Sequence, residues 1–259
     1  MRSVMTTVML GALLVCAGCK TDQAARQAEN LDHPEPPAVA ALDPAMLGSI
    51  KGTISFKGKA PQKVMIDMSQ DPACAMAGGE NDAEQLVVGK KGALANVYVY
   101  VKAGLPPNVS FPAKTVPVVV DQKGCRYVPH VVAVQMGEPV EFHNSDPTMH
   151  NVHTMPAMPG NASADISQAP MGAPQSETFS QPEEMLPVRC NNHPWMNAFV
   201  NVSATPFFAV TGADGKFEIK GLPPGVYTIV AVQEKLGEQM QQVTVISQTA
   251  SPANFSYPQ

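Results

Sequence analysis

Residues 190–196 read CNNHPWM. A thiol, an imidazole and a thioether follow one another at a spacing of C-x2-H-x2-M, and the tryptophan of the chain lies between the last two. A trigonal set of two imidazoles and one thiolate, with a weak axial methionine, suits a mononuclear copper ion. The thiolate is a soft donor for Cu(I), the imidazoles suit Cu(II), and a geometry acceptable to both lets an electron come and go with little rearrangement. One tight turn can present three of these donors, and Pro194 limits its backbone freedom. The second imidazole must come from upstream. PVEFHNSDPTMHNVH, residues 139–153, offers His143, His150 and His153.

The elements around these residues read as strands. LPVRC leads into the turn and NAFVNVS leads out of it. SIKGTISF, KVMIDM, ANVYVYVK, VPVVVD, VVAVQ, PVEFH, FFAVT, KFEIK, GVYTIVAVQ and QQVTVIS alternate apolar and polar residues with a period of two, broken by the turn formers GADGK and LPPGV. No apolar period of 3.6 persists beyond the N-terminal segment, so the predicted class is all-β. Residues 154–186, rich in Met, Pro, Ala and Gly, read as a long loop.

With strands on both sides, the two chemical motifs become specific as a pair. HNVH followed by CNNHPWM resembles the cupredoxin (blue copper) family, its amicyanins most of all, and VVAVQMGEPVEFHNSD is similar to that family's approach to its first histidine. The resemblance covers residues 116–203 and implies a Greek-key β-sandwich holding one type 1 copper. The ligands it implies are His150, Cys190, His193 and Met196, with Asn151 bracing the ligand loops beside the thiolate. It also implies electron exchange through a partly exposed edge of His193, with Pro194 and Trp195 in the docking patch. The flanks, GSIKGTISFKGKAPQKVMIDM with GALANVYVYVK and FFAVTGADGKFEIKGLPPGVYTIVAVQEKLG, resemble the two halves of a carboxypeptidase regulatory-like (transthyretin-like) sandwich. The expected organisation is a discontinuous sandwich of 48–115 and 204–248 with the copper domain, 116–203, inserted, and a C-terminal tail, 249–259. Residues 48–115 alone would make a thin core.

The N-terminus reads as an export signal. Arg2 precedes an apolar run, Val4–Val15, too short to span a bilayer. VCAGCK resembles a bacterial lipobox, with Cys16 where leucine is usual; it implies a signal peptide of 1–18, a lipidated Cys19 and a tether of 19–47. A bacterial periplasm or cell surface is oxidising. Of five cysteines, Cys74, Cys125 and Cys190 then remain, an odd number. A Cys74–Cys125 disulfide frees Cys190 as a ligand; pairing of Cys190 with either of the others is the alternative.

His130 and His143 read as structural, and His33 falls in the tether. Met149, Met155, Met158, Met171 and Met185 crowd one segment. They serve either as flexible packing or as a place to gather Cu(I). The expected function is lipid-anchored single-electron transfer with a transient redox partner, without enzymatic chemistry. The rivals are a periplasmic copper carrier using the same site plus the methionines, and a surface binding module. A zinc hydrolase fits poorly, for want of a carboxylate general base. A formal net charge of −5 without a basic stripe offers nothing to nucleic acid.

Overall fold

The computed structural model describes residues 42–77, 81–107 and 109–258. The export signal, Cys19, His33 and most of the tether lie outside these residues. Among the described residues no helix is long and apolar enough to cross a membrane.

The fold is all-β. In chain order the elements are β1 (Gly48–Phe56), helix α1 (Pro72–Met76), β2 (Tyr98–Ala103), β3 (Val118–Gln122), β4 (Tyr127–Val128), β5 (Val131–Gln135) and β6 (Val140–Asn144). There follow β7 (His150–Thr154), β8 (Asp165–Gln168), β9 (Gln175–Glu177), β10 (Glu183–Arg189), β11 (Asn197–Ser203) and β12 (Phe208–Val210). The chain closes with β13 (Lys216–Leu222), β14 (Gly225–Gln233), β15 (Gly237–Val245), β16 (Ala250–Pro252) and β17 (Phe255–Tyr257).

Two pairs of sheets enclose two cores. One sheet runs β13-β1-β16, with β17 also on β1, and faces a sheet β12-β2-β14-β15. Between them lie Ile50, Ile54, Val99, Phe217, Ile219, Tyr227 and Ile229. The other pair is β5-β11-β10-β7-β8 and β4-β3-β6-β9, enclosing Val120, Val134, Phe142, Val152, Leu186, Val188 and Val200. Period-two alternation puts these side chains on one face of each strand, where each buried branched or aromatic residue contributes about 1.5–3 kcal/mol of transfer free energy. A third cluster, Tyr98, Val230 and Val232 with Ala133 and Met185 against them, packs one sandwich on the other.

Three expectations change. Residues 249–259 form no tail: β16 and β17 pair in parallel with β1, and Ala253, Phe255 and Tyr257 are buried in the first core. The period-two signal spans too few residues there to be read. Residues 154–186 are not one loop, since β8, β9 and the start of β10 fall within them. Their polar strand residues, such as Gln168 and Glu183, are buried through hydrogen bonds rather than apolarity. KVMIDM forms a single bridge, Met65 to Asp82, rather than a strand, and Met68 and Cys74 beyond it join the second core, not the first. The segment leading into α1 therefore crosses to the sandwich that carries the metal-ligating types.

Candidate metal centre

β10 ends at Arg189, and the chain turns back into β11 at Asn197. Two backbone bonds close this turn: the Met196 amide donates to the His193 carbonyl at 2.9 Å and the Cys190 amide to the Met196 carbonyl at 3.2 Å. Cys190, His193 and Met196 are drawn inward, 4%, 3% and 1% exposed, while Asn191, Asn192 and Pro194 face solvent. His150 opens β7, which lies beside β10, and is fully buried.

The donor atoms of His150, Cys190 and His193 all lie within 4.8 Å of one another. The two Nδ1 atoms are 2.9 Å apart, and His193 Nδ1 is 3.5 Å from Cys190 Sγ. Met196 is buried in the same core cluster as Cys190, with Trp195 packed on it. Asn151 donates its amide to Cys190 Sγ at 3.3 Å, and its side chain reaches Ser167 Oγ at 3.1 Å, bracing β7 on β8 beneath the thiol. Cys74 and Cys125 are joined in a disulfide, and Cys190 is the free cysteine among the described residues.

Both outward ring nitrogens meet carboxylates. His150 Nε2 lies 2.9 Å from Asp146 Oδ2, and His193 Nε2 lies 3.0 Å from Asp71 Oδ2. The His193 bond holds the Asp71 carboxyl down to about 2, against the smaller opposing effect of burial. Burial works to raise Asp146, but its bonds from His150 and the Cys125 and Gly124 amides prevail and lower it. An ionised carboxylate only accepts, so each Nε2 carries a proton and each Nδ1 faces inward. Two such nitrogens 2.9 Å apart, beside a sulfur, need a shared proton or a cation between them.

The protonation states agree with that requirement. Burial would lower His150, yet Asp146 and Cys190 outweigh it and raise the ring to about 9. Burial would raise Cys190, yet His150, the Asn151 and Asn192 amides and His193 together bring it down to about 6. At neutral pH the metal-free site is thus a thiolate beside an imidazolium, which a soft cation displaces with loss of one proton. Nitrogen donors about 2 Å from a metal in a trigonal plane stand about 3.5 Å apart, so the 2.9 Å pair need open by only about half an ångström to admit one. The donor set fits copper.

His193 departs from expectation. Its edge is not exposed at a docking patch: Asp71, 122 residues away in sequence, covers it, and Trp195 stacks obliquely at 5.2 Å between ring centroids. Trp195 is half-buried, with Nε1 donating to the Cys125 carbonyl at 3.1 Å. Asp71 and Asp146 are site residues that motif and spacing do not pick out. Asp146 stands four residues before His150, a spacing that could have drawn notice; nothing in the sequence joins Asp71 to His193.

The other histidines have separate partners. His130 is buried between the Asn197 carbonyl at 3.1 Å and Glu234 at 2.6 Å. His143 pairs with Glu141 on the same strand at 2.6 Å. His153 bonds Asn191 Oδ1 at 2.9 Å, outside the cluster. Met149, Met155, Met158 and Met171 are exposed, whereas Met185 is half-buried between the sandwiches.

No family model matches the chain, and no curated protein matches it. Solved structures resemble part of it. A methionine-to-alanine variant of amicyanin in its Cu(I) form shares 21% identity over 42% of this chain and 99% of its own, with a TM-score of 0.31. A methionine-to-glutamine variant of amicyanin, also Cu(I), shares 25% over 34% and 82%, with a TM-score of 0.31. The copper-containing nitrite reductase of Thermus scotoductus SA-01 shares 23% over 40% of this chain, with a TM-score of 0.31, and the chain covers only 25% of that enzyme.

Proposed function

We propose that this chain is an exported, lipid-anchored type 1 copper protein that carries single electrons between redox partners and makes or breaks no substrate bond. The observation that supports it is the buried convergence of His150, Cys190 and His193, with both Nδ1 atoms and the thiol sulfur turned toward one point. Copper bound there supplies one-electron chemistry between Cu(I) and Cu(II).

The residues make that chemistry reversible. Cys190 is the soft donor, and the Asn151 amide bonded to its sulfur drains charge from it and tunes the potential. Asp146 and Asp71 fix the two rings so that neither turns when the charge at the site changes. Burial of all four donors excludes water. With His193 covered, a partner meets the protein over the exposed Asn191, Asn192 and Pro194 of the ligand turn; such encounters are small and transient. The anchor at Cys19 and a periplasmic or cell-surface location belong to the same proposal.

Voltammetry of the copper-loaded protein tests the role. An electron carrier gives a reversible one-electron wave. The four exposed methionines Met149, Met155, Met158 and Met171 favour a second reading, a copper carrier; its mark is Cu(I) held more tightly than Cu(II) and surrendered to an acceptor.

A further inference from the structure

The two carboxylates that orient the imidazoles come from distant segments, and one covalent bond ties them together. Asp71 is the N-cap of α1: its Oδ1 accepts from the Ala73 amide at 2.7 Å and the Cys74 amide at 3.2 Å, leaving Oδ2 for His193. Thr148 Oγ1 adds a bond to the same Oδ2 at 3.3 Å. Three residues on, buried Cys74 is bonded to Cys125. The Cys125 amide donates to Asp146 Oδ2 and the Gly124 amide to Asp146 Oδ1, each at 2.7 Å. Asp146 Oδ2 then meets His150 Nε2. The path His193–Asp71–Cys74–Cys125–Asp146–His150 runs from one imidazole to the other and closes on itself between the two Nδ1 atoms.

Each link has a physical reason to be stiff. A carboxylate accepting two backbone N–H groups has its plane and height set by the backbone. A disulfide limits how far the Cα atoms it joins, here 5.5 Å apart, can separate. The five-residue helix could not be held over the site by its own stability. Among its residues only Cys74 is buried, so the disulfide is the anchor.

We propose that Asp71 and Asp146 are positioning residues for the two imidazoles, and that the Cys74–Cys125 disulfide is the strut that holds both carboxylates, and α1 as a cover, over the thiolate of Cys190. The inference rests on the copper reading for its purpose, but its geometry is tested without copper. In the metal-free protein, nitrogen NMR reports which ring nitrogen of His193 carries the proton, and an aromatic disulfide reagent reports the accessibility of Cys190.

Two variants probe the path. Asp71→Asn keeps a helix cap but can present an amide N–H to His193, which favours the tautomer with the proton on Nδ1. Cys74→Ala with Cys125→Ala removes the strut and leaves both carboxylates. We expect His193 to carry its proton on Nε2 in the wild type and to lose that preference in Asp71→Asn. We expect Cys190 to react about tenfold faster in both variants, and loaded metal to leave about 10–100-fold faster. Circular dichroism confirms the β fold of each variant; should one fail to fold, the other carries the test. Unchanged thiol reactivity with an unchanged His193 tautomer in a folded variant overturns the proposal. A wild type that shows these metal-free features yet binds no copper would overturn the function instead and leave the strut standing.

Discussion

At the scale of single residues, the donors of His150, Cys190 and His193 already converge without a metal. Cys190→Ser replaces a soft thiolate by a hydroxyl, so the folded variant should lose any intense visible absorption, and an absorption spectrum decides it. Met196→Gln exchanges a weak thioether for a harder oxygen that favours Cu(II); the reduction potential should fall, and an unchanged potential would remove Met196 from the ligands. In the metal-free protein the thiolate should appear in ultraviolet absorption with a midpoint near pH 6 rather than near the ordinary 9.0. The sign of the linkage follows. A lowered Cys190 contributes stability that is present above pH 9 and lost as pH falls through about 6. A raised His150 contributes stability that is present below pH 6.5 and lost as pH rises through about 9. The two slopes oppose, so denaturant midpoints of the metal-free protein should stay nearly level between those limits. Of the site itself, the convergence of His150, Cys190 and His193 and the Asn151 contact with the thiol were legible, because their spacing is local to two short loops. Asp71 was not, because a contact across 122 residues leaves no periodic or spacing signal.

At the scale of elements, β1 is the strand on which the first sandwich closes, and its partners show why the C-terminal strands escape the sequence pattern. Along one edge β1 pairs first with β16, at Ser49–Lys51, and then with β17, at Ile54–Phe56. Gly52 marks the change of partner: a Cβ there would lie 1.4 Å from the Ala253 carbonyl oxygen. Gly52→Ala should therefore destabilise by more than the about 0.5–1 kcal/mol that separates Gly from Ala in a strand, in the opposite direction, lowering the thermal midpoint. Tyr257 is buried, and its hydroxyl donates to the Ala231 carbonyl at 2.7 Å. Tyr257→Ala should cost about 3–5 kcal/mol in urea unfolding. The long strands, such as GVYTIVAVQ, were legible because nine residues rich in β-branched side chains, bounded by turn formers, suit a strand far better than a helix. Three-residue strands such as β16, β17 and β9 carry too little pattern, and their pairing is decided by neighbours distant in sequence.

At the scale of the whole molecule, two β-sandwich cores share one chain, and the cluster of His150, Cys190 and His193 belongs to the second of them. Its defining clusters, the turn after β10 and the start of β7, were visible as motifs; the crossing of residues 66–77 onto that sandwich was not, because it depends on Ile66, Met68 and Cys74 finding a core built elsewhere. That crossing, sealed by the Cys74–Cys125 bond, turns what reads as an open-edged site into a covered one, with Asp71 over the His193 edge. The most direct test of the central claim is an optical and electron paramagnetic resonance spectrum of the soluble protein loaded with Cu(II). We predict an intense blue band from the Cys190 thiolate with narrow copper hyperfine splitting, both abolished by Cys190→Ser. A colourless Cu(II) protein with wide hyperfine splitting, or a blue one unaffected by that substitution, would contradict the account.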